Sequence, residues 1–108
     1  MTRIEELAQT QLDAYNRADL DAFCACYHPN VLMLEGEEPG AEGIEAFRER
    51  YAAMFERGSF GAKVPARLVH GDHCVDEELW WRLDPGTEEL SQGRLLVRDL
   101  IGVVQFLG

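Results

Sequence analysis

Long apolar runs are absent from this 108-residue sequence. No stretch approaches the ~18 consecutive apolar residues that a transmembrane helix requires, so we expect no membrane span. The first fifteen residues mix charged, polar and apolar groups and no small-residue cleavage site follows them, so we expect no signal peptide. Apolar residues make up 46% of the chain and occur along its whole length. This distribution excludes a disordered protein and predicts one domain over residues 1–108.

Positive charge is scarce as well. Ten Lys and Arg residues stand against twenty Asp and Glu residues, which gives a formal net charge of -10. A surface this negative repels phosphate backbones and anionic lipid head groups. We therefore expect neither nucleic acid nor a membrane surface as a partner.

Cysteine and the common cofactor motifs are also rare. Three cysteines cannot form a complete set of internal disulfides, which favours a reduced, cytoplasmic protein. The sequence has no Walker motif and no serine nucleophile elbow. His70 and His73 flank a turn and could bind zinc with one neighbour, but no second ligand cluster accompanies them. We predict no metal and no cofactor.

Hydrophobic periodicity divides the sequence into a helical half and a strand half. Thr2 and Glu5 form a capping-box pattern at the start of the first helix, and Asp19 is placed to cap the second. The predicted elements of the first half are helix 3–17, a short helix after Asp19, strand 31–35, loop 36–43 and helix 44–57 with Gly58 as its cap. The second half has predicted strands at 62–70, 73–83, 90–97 and 100–107, with turns at Gly71-Asp72, Pro85-Gly86-Thr87 and Arg98-Asp99. This order predicts an α+β fold in which three helices pack on one face of a curved, mostly antiparallel meander.

Several short segments resemble the nuclear transport factor 2-like superfamily, which includes SnoaL-like proteins and ketosteroid isomerase. The matching segments are Asn16 to Asp21, Tyr27-His28-Pro29-Asn30-Val31, Gly43-Ile44-Glu45-Ala46-Phe47-Arg48 and Gly71-Asp72-His73-Cys74. The resemblance covers essentially the whole chain and implies a conical, cystatin-like fold. It is specific for the fold and weak for the activity, because this fold hosts many unrelated functions.

The resemblance also implies roles for two polar residues. It places Glu35 at the position of the isomerase's general base and Gln11 at that of an oxyanion-hole tyrosine. Burial would raise the pKa of Glu35 and make it a workable base near neutral pH. The alternatives are a solvated carboxylate at Glu35 and a satisfied core glutamine at Gln11.

The two faces of strand 73–83 admit two interpretations. Composition alone favours the face with Val75, Leu79 and Trp81 as the core. The resemblance instead implies that Cys74, Asp76, Glu78 and Trp80 point into a cavity and that the other face meets a dimer partner. Asp76 and Glu78 then become acid/base candidates. Their alternative role is in ion pairs, Asp76 with Arg67 across the turn and Glu78 with Arg82.

These residues lead to two functional hypotheses. The first is a domain that binds, or isomerises by proton transfer, a small apolar organic molecule, with Glu35, Asp76 and Glu78 as catalytic candidates. The predicted ligand-binding residues are Gln11, Tyr15, Tyr27, Met33, Tyr51, Phe55, Trp80 and Phe106. The second is a non-catalytic binding or dimerisation module whose acidic residues form structural salt bridges. In both cases we expect a homodimer, because Leu79 or Trp81 would otherwise be exposed.

Overall fold

The helices of the fold occupy the first half of the chain and most of the strands the second. A computed structural model describes residues 2–56, 60–82, 90–99 and 103–107, with the backbone alone described at 82, 90–95 and 99. Within these ranges the elements are α1 (Arg3–Asn16), α2 (Leu20–Cys24), β1 (Leu32–Glu35), β2 (Glu38–Glu42), α3 (Ile44–Glu56), β3 (Phe60–His70), β4 (His73–Arg82), β5 (Leu90–Asp99) and β6 (Val103–Leu107). The predicted α+β fold with three helices on a curved sheet is confirmed. The predicted cap at Gly58 and the turn at 85–87 lie outside the described residues.

The described strands form one six-stranded sheet in the order β2-β1-β6-β5-β4-β3. Strands β3 to β6 pair antiparallel with their sequence neighbours. The one parallel pairing joins β1 to β6, with Met33 beside Val104. This pairing adds β1, and with it β2, to the meander, so strands from both halves of the chain form one sheet.

The helix starts follow the capping patterns. The Thr2 side chain accepts a hydrogen bond from the Glu5 backbone N–H, and the Glu5 side chain accepts one from the backbone N–H of Thr2. The Asp19 side chain accepts a hydrogen bond from the Ala22 backbone and starts α2. These local contacts satisfy amide groups that the first helical turn leaves without partners.

The predicted loop over residues 36–43 is wrong. Residues Glu38–Glu42 form strand β2, an edge strand that pairs antiparallel with β1. Gly36 supplies the positive φ of the turn, and the register shifts where Gly40 has no partner of its own. Pro39 is tolerated because an edge strand does not need every backbone N–H in a ladder. Because these residues are common in turns, the sequence pattern did not reveal the short irregular hairpin.

The predicted turn at Arg98-Asp99 is also wrong. Strand β5 continues to Asp99, and Arg98 pairs with Cys74 of β4 and Val104 of β6. Residues paired directly across a sheet share a face, so Arg98 points to the same side as the buried Cys74. The sequence-based interpretation missed this because Arg and Asp are common at turns, whereas a buried arginine is rare.

Strand β3 changes phase at a bulge. The register with β4 shifts between Lys63 and Ala66, so Val64 and Pro65 together oppose the single residue Glu78. Beyond the bulge, Arg67 faces inward, whereas Leu68 is 69% exposed on the opposite face. A bulge of this kind adds one residue to one strand and re-aims the side chains that follow it.

Aromatic rings fill the space between the helices and the sheet. Phe23 of α2 lies at the centre, with its ring centroid 4.8 Å from that of Tyr51 and 5.1 Å from that of Tyr27. Ring pairs at these separations stabilise a core beyond their buried area. None of the described helices has the length and apolar character needed to cross a membrane.

Asn16 joins the end of α1 to the free edge of β3. Its side-chain Oδ1 accepts a hydrogen bond from the Ala62 backbone N–H at 2.8 Å, and its Nδ2 donates to the Ala62 carbonyl at 3.0 Å. Ala62 is buried, so both backbone groups depend on this amide for a partner.

Replacing this amide should weaken the fold measurably. We expect Asn16→Ala to lower the free energy of unfolding by about 2 kcal/mol, because it leaves two buried backbone groups without partners. Urea denaturation followed by circular dichroism measures the change. The control is Asn30→Ala at an exposed position, and an equal loss in both variants would contradict the assigned role of Asn16.

Candidate functional site

A hollow lies between the helices and the inner face of the sheet. Its wall is formed by nine residues: Gln11, Leu12, Tyr15, Phe23, Tyr27, Tyr51, Glu78, Leu96 and Phe106. The space within it has a volume of about 20 Å³, which is room for about one water molecule. Tyr27 is the one wall residue that is partly exposed. A larger molecule therefore needs side chains to move before it can enter.

Alternation along β4 determines which carboxylates face the hollow. Cys74 and Asp76 are completely buried and Glu78 is 6% exposed, whereas Leu79 on the other face is 37% exposed. The face implied by the resemblance therefore points inward. Of the carboxylates on this face, Glu78 is the one that reaches the wall of the hollow.

Asp76 forms a bidentate ion pair with Arg67. Its Oδ1 lies 2.6 Å from Arg67 Nε and its Oδ2 lies 3.2 Å from Arg67 Nη2. The pairing follows from the two-residue turn at Gly71 and Asp72, which puts Arg67 directly opposite Asp76. The hydrogen bonds that Arg67 donates to Asp76 raise the pKa of the Arg67 guanidinium. Asp76 thus occupies the ion pair that the sequence offered as the alternative to an acid/base role.

The Cys74 thiol belongs to the same buried group. Its Sγ lies 3.3 Å from Asp76 Oδ1. Burial, with the neighbouring Asp76 carboxylate, raises the pKa of this thiol to about 11. Cys74 is therefore a protonated thiol and a poor nucleophile at neutral pH. All three cysteines are free thiols, and within the described residues no group of three or more His, Cys, Asp or Glu is placed to hold a metal ion.

Gln11 and Tyr27 form a polar contact in the wall of the hollow. The Tyr27 hydroxyl donates to Gln11 Oε1 at 3.0 Å, and Gln11 Nε2 donates to the Ala8 carbonyl at 2.9 Å. Burial strongly raises the pKa of Tyr27, a shift that the charge of Arg98 partly opposes. The tyrosine is therefore a neutral hydrogen-bond donor rather than an acid at ordinary pH.

Glu35 lies away from this group. It is exposed at the end of β1, and its Oε1 accepts a hydrogen bond from Arg50 Nη2 of α3 at 2.9 Å. It is not among the residues that form the wall. The expected burial of Glu35 in the hollow is therefore not observed, because the strand ends at the rim and an exposed arginine holds the carboxylate there.

The predicted ligand-binding residues divide into two groups. Those in the wall are Gln11, Tyr15, Tyr27, Tyr51 and Phe106, whereas Met33, Phe55 and Trp80 belong to the packed core around it. Met33 is completely buried and accepts a weak hydrogen bond from the Tyr51 hydroxyl at 3.8 Å. Three wall residues were not predicted: Leu12, Phe23 and Leu96. Helical periodicity identified the first two as inward-facing, but no pattern in the sequence separates a packed core from the wall of a hollow.

Arg98 is the residue near the hollow that sequence reasoning missed. Its side chain is 3% exposed, and its Nη1 lies 3.8 Å from Asp76 Oδ2. It stands two residues after Leu96 of the wall on the same strand face. Its alternation with Leu96 indicates an inward-facing side chain, but the predicted strand ends at residue 97.

The sequence matches the family model of the SnoaL-like domain over residues 8–98. The chain belongs to this family. Its fold is the one shared by structures described as nuclear transport factor 2-like and ketosteroid isomerase-like. No curated protein matches the sequence significantly.

Solved structures share this fold at low sequence identity. An uncharacterised cystatin-fold protein from Novosphingobium aromaticivorans has a TM-score of 0.88 and 21% identity, with 100% of this chain and 99% of that chain covered. The Δ5-3-ketosteroid isomerase of a Mycobacterium species has a TM-score of 0.86 and 10% identity, with 100% and 94% covered. A protein of ketosteroid isomerase-like fold from Catenulispora acidiphila, solved with trimethylamine, has a TM-score of 0.82 and 12% identity, with 95% and 85% covered. At these identities the comparison shows the fold of this SnoaL-like domain and not its ligand.

The buried ion pair gives a direct test of this arrangement. We expect Asp76→Asn to lower the free energy of unfolding by about 3 kcal/mol, because it leaves the buried positive charge of Arg98 and the Arg67 guanidinium without their carboxylate. Thermal and urea denaturation measure the effect. Asp72→Asn in the exposed turn is the control and should change stability by less than about 0.5 kcal/mol. Equal stability of the two variants would contradict the buried pair.

Proposed function

We propose that residues 1–108 act as one domain that binds a small, mainly apolar organic molecule in the hollow. The supporting observation is the composition of the wall, which is aromatic and aliphatic apart from Gln11, the Tyr27 hydroxyl and Glu78. Apolar pockets with a few convergent polar groups are typical of small-molecule sites. Because the cavity holds about one water molecule, ligand entry requires a wall residue to move. Tyr27 is the candidate, since its side chain is partly exposed.

The chemistry that suits this wall is proton transfer next to a carbonyl group. The substrate would be a β,γ-unsaturated ketone. Glu78 would remove a proton from the α-carbon and return it to the γ-carbon, which moves the double bond into conjugation and leaves no net change in protons. Neutral hydrogen-bond donors stabilise the enolate oxygen in such a reaction. The Tyr27 hydroxyl and the Gln11 amide are the donors in the wall.

Of the three acidic candidates, Glu78 fits the role of base. Asp76 is buried against Arg67 and is not a wall residue, and Glu35 is exposed outside the wall. A general base must reach the proton that it removes. Glu78 meets this requirement because its side chain contributes to the wall.

Adjacent glutamates on β4 provide a matched test. We expect Glu78→Gln to slow the isomerisation of cyclohex-3-enone by at least about 100-fold, the usual contribution of a general base. The change in ultraviolet absorption on conjugation measures the rate. Glu77→Gln is the control, because Glu77 is exposed on the opposite face, and it should leave the rate unchanged. Equal rates in wild type and Glu78→Gln would rule out Glu78 as the base.

A second candidate function is a non-catalytic module. The small cavity and the engagement of Asp76 by Arg67 favour it, because both are features of a packed interior. The two functions differ in what the wild-type protein does with a ligand. Saturable quenching of the tryptophan fluorescence by cyclohex-3-enone in Trp81→Phe, which keeps Trp80 against the core around the hollow, would support the binding function. Absence of binding and of turnover would favour the module.

We also propose that the outer face of the sheet forms a homodimer. Leu68 of β3 is 69% exposed and Leu79 of β4 is 37% exposed on this face, beside the partly buried Val75. Apolar side chains grouped in this way on an outer surface are typical of interaction sites. The helices cover the opposite face, so a partner has access to this one.

A charge at Leu68 should prevent association. We expect wild type to be a dimer and Leu68→Lys to be a monomer at micromolar concentration, because dimer burial would desolvate the new charge. Sedimentation velocity measures the mass. Ala46→Lys introduces the same charge at an exposed position of α3, away from the outer face of the sheet, and should remain dimeric. A monomeric wild type would refute the proposed dimer.

A further inference from the structure

The guanidinium of Arg98 is a buried cation with unused hydrogen-bonding capacity. Its side chain is 3% exposed, and across the described part of the chain none of its three nitrogens has a hydrogen-bond partner. An arginine carries five N–H donors in a planar fork. Buried donors are almost always paired, so an exception requires an explanation.

Asp76 does not supply this explanation. Its two oxygens are taken by Arg67 at 2.6 Å and 3.2 Å, and Arg98 Nη1 lies 3.8 Å away. That separation is too long for a hydrogen bond. Two guanidinium groups thus share one carboxylate, and Arg67 holds the hydrogen bonds. The charge of Arg98 is only partly balanced by Asp76, and its donors are not satisfied.

The position of Arg98 relates it to the hollow. Arg98 is not itself a wall residue, but it shares a strand face with Leu96 of the wall, and its charge lowers the pKa of Tyr27 in that wall and of Cys26. Each of these is a neutral group whose pKa burial raises. A third neighbour is the protonated thiol of Cys74, its partner across β4 and β5. None of these three groups offers Arg98 an anion.

Glu78 is the wall carboxylate that could compete with an incoming anion for the guanidinium of Arg98. In the register of the sheet Arg98 pairs with Cys74, four residues from Glu78 along β4. This offset separates the two backbone positions by about 13 Å along the strand. A carboxylate that pairs with Arg98 is therefore displaced along the sheet from Glu78.

We propose that the hollow binds an organic carboxylate whose charged group pairs with the guanidinium of Arg98. This inference rests on the proposed binding function and specifies its ligand as an aromatic or aliphatic acid. The two carboxylate oxygens match the planar fork of the guanidinium and accept two parallel hydrogen bonds. The apolar body of the acid lies against the aromatic wall of the hollow.

The stability of the unliganded protein separates a binding role from a structural one. We expect Arg98→Met to retain or increase the melting temperature, because it replaces an unsatisfied buried cation by an apolar chain of similar length. Arg67→Met should lower the melting temperature clearly, because it breaks a bidentate pair. If both variants are destabilised equally, Arg98 is a structural partner of Asp76 and the inference is overturned.

The affinity for a charged and a neutral probe tests the ligand class. We expect wild type to bind benzoate more tightly than benzamide, which has the same shape without the charge, in titration calorimetry. Arg98→Met should lose about 10- to 100-fold of the benzoate affinity, the range for a hydrogen bond to a charged group, and keep its affinity for benzamide. Lys63→Met, which removes an exposed positive charge, is the control and should bind both probes as wild type does.

The outcomes distinguish the inference from the proposed function. If wild type binds benzamide and has no higher affinity for benzoate, the inference is wrong and the binding function stands. If the benzoate preference persists in Arg98→Met, the inference is also wrong, because another group holds the anion. If neither probe binds to wild type, both the inference and the binding function are refuted.

Discussion

The register of the β3–β4 hairpin is the constraint on which the interior of the protein depends. A two-residue turn at Gly71 places Arg67 opposite Asp76. The bulge at Val64 and Pro65 lets the inward-facing residues of β3 stay on one side of the sheet both before and after the position of Glu78. A slip of one residue in a strand moves every side chain to the other face. Without the bulge, the residues of β3 before it would turn to the other face, which would expose Ala62 and bury Lys63. The ion pair, the wall of the hollow and the apolar outer face all follow from this register.

Charge inside this domain is balanced unevenly. Asp76 satisfies Arg67 through two hydrogen bonds, whereas Arg98 contacts the same carboxylate only at 3.8 Å. Proteins tolerate a buried unsatisfied cation at a cost in stability, and such costs are concentrated at sites of function. Glu78, Gln11 and the Tyr27 hydroxyl lie in the wall of the neighbouring hollow. The chemistry of the interior is thus concentrated where the sheet meets the aromatic cluster of the helices.

Shared fold and different site residues are compatible in this family. The chain superimposes on ketosteroid isomerase over its full length at 10% identity, yet the glutamate that the resemblance placed at the base position is held by Arg50 at the rim. The fold requires helical periodicity, an inward strand face and a few hydrogen bonds such as that of Asn16, and many sequences meet these needs. A site requires particular groups at particular distances, which fold similarity does not provide.

Local patterns in the sequence determined the helices, the long strands, the Gly71 turn and the pairing of Arg67 with Asp76, because capping, periodicity and turn chemistry act over a few residues. The resemblance added the inward face of β4, which composition alone assigned to the other side. Only the tertiary structure decided the hairpin of β1 and β2, the continuation of β5 through Arg98 and the exposure of Glu35. Each of these depends on a partner distant in the sequence: β6 and Arg50 for β1, and Cys74 and Val104 for Arg98. Burial and electrostatic balance are properties of such contacts, so they arise when the sheet closes against the helices.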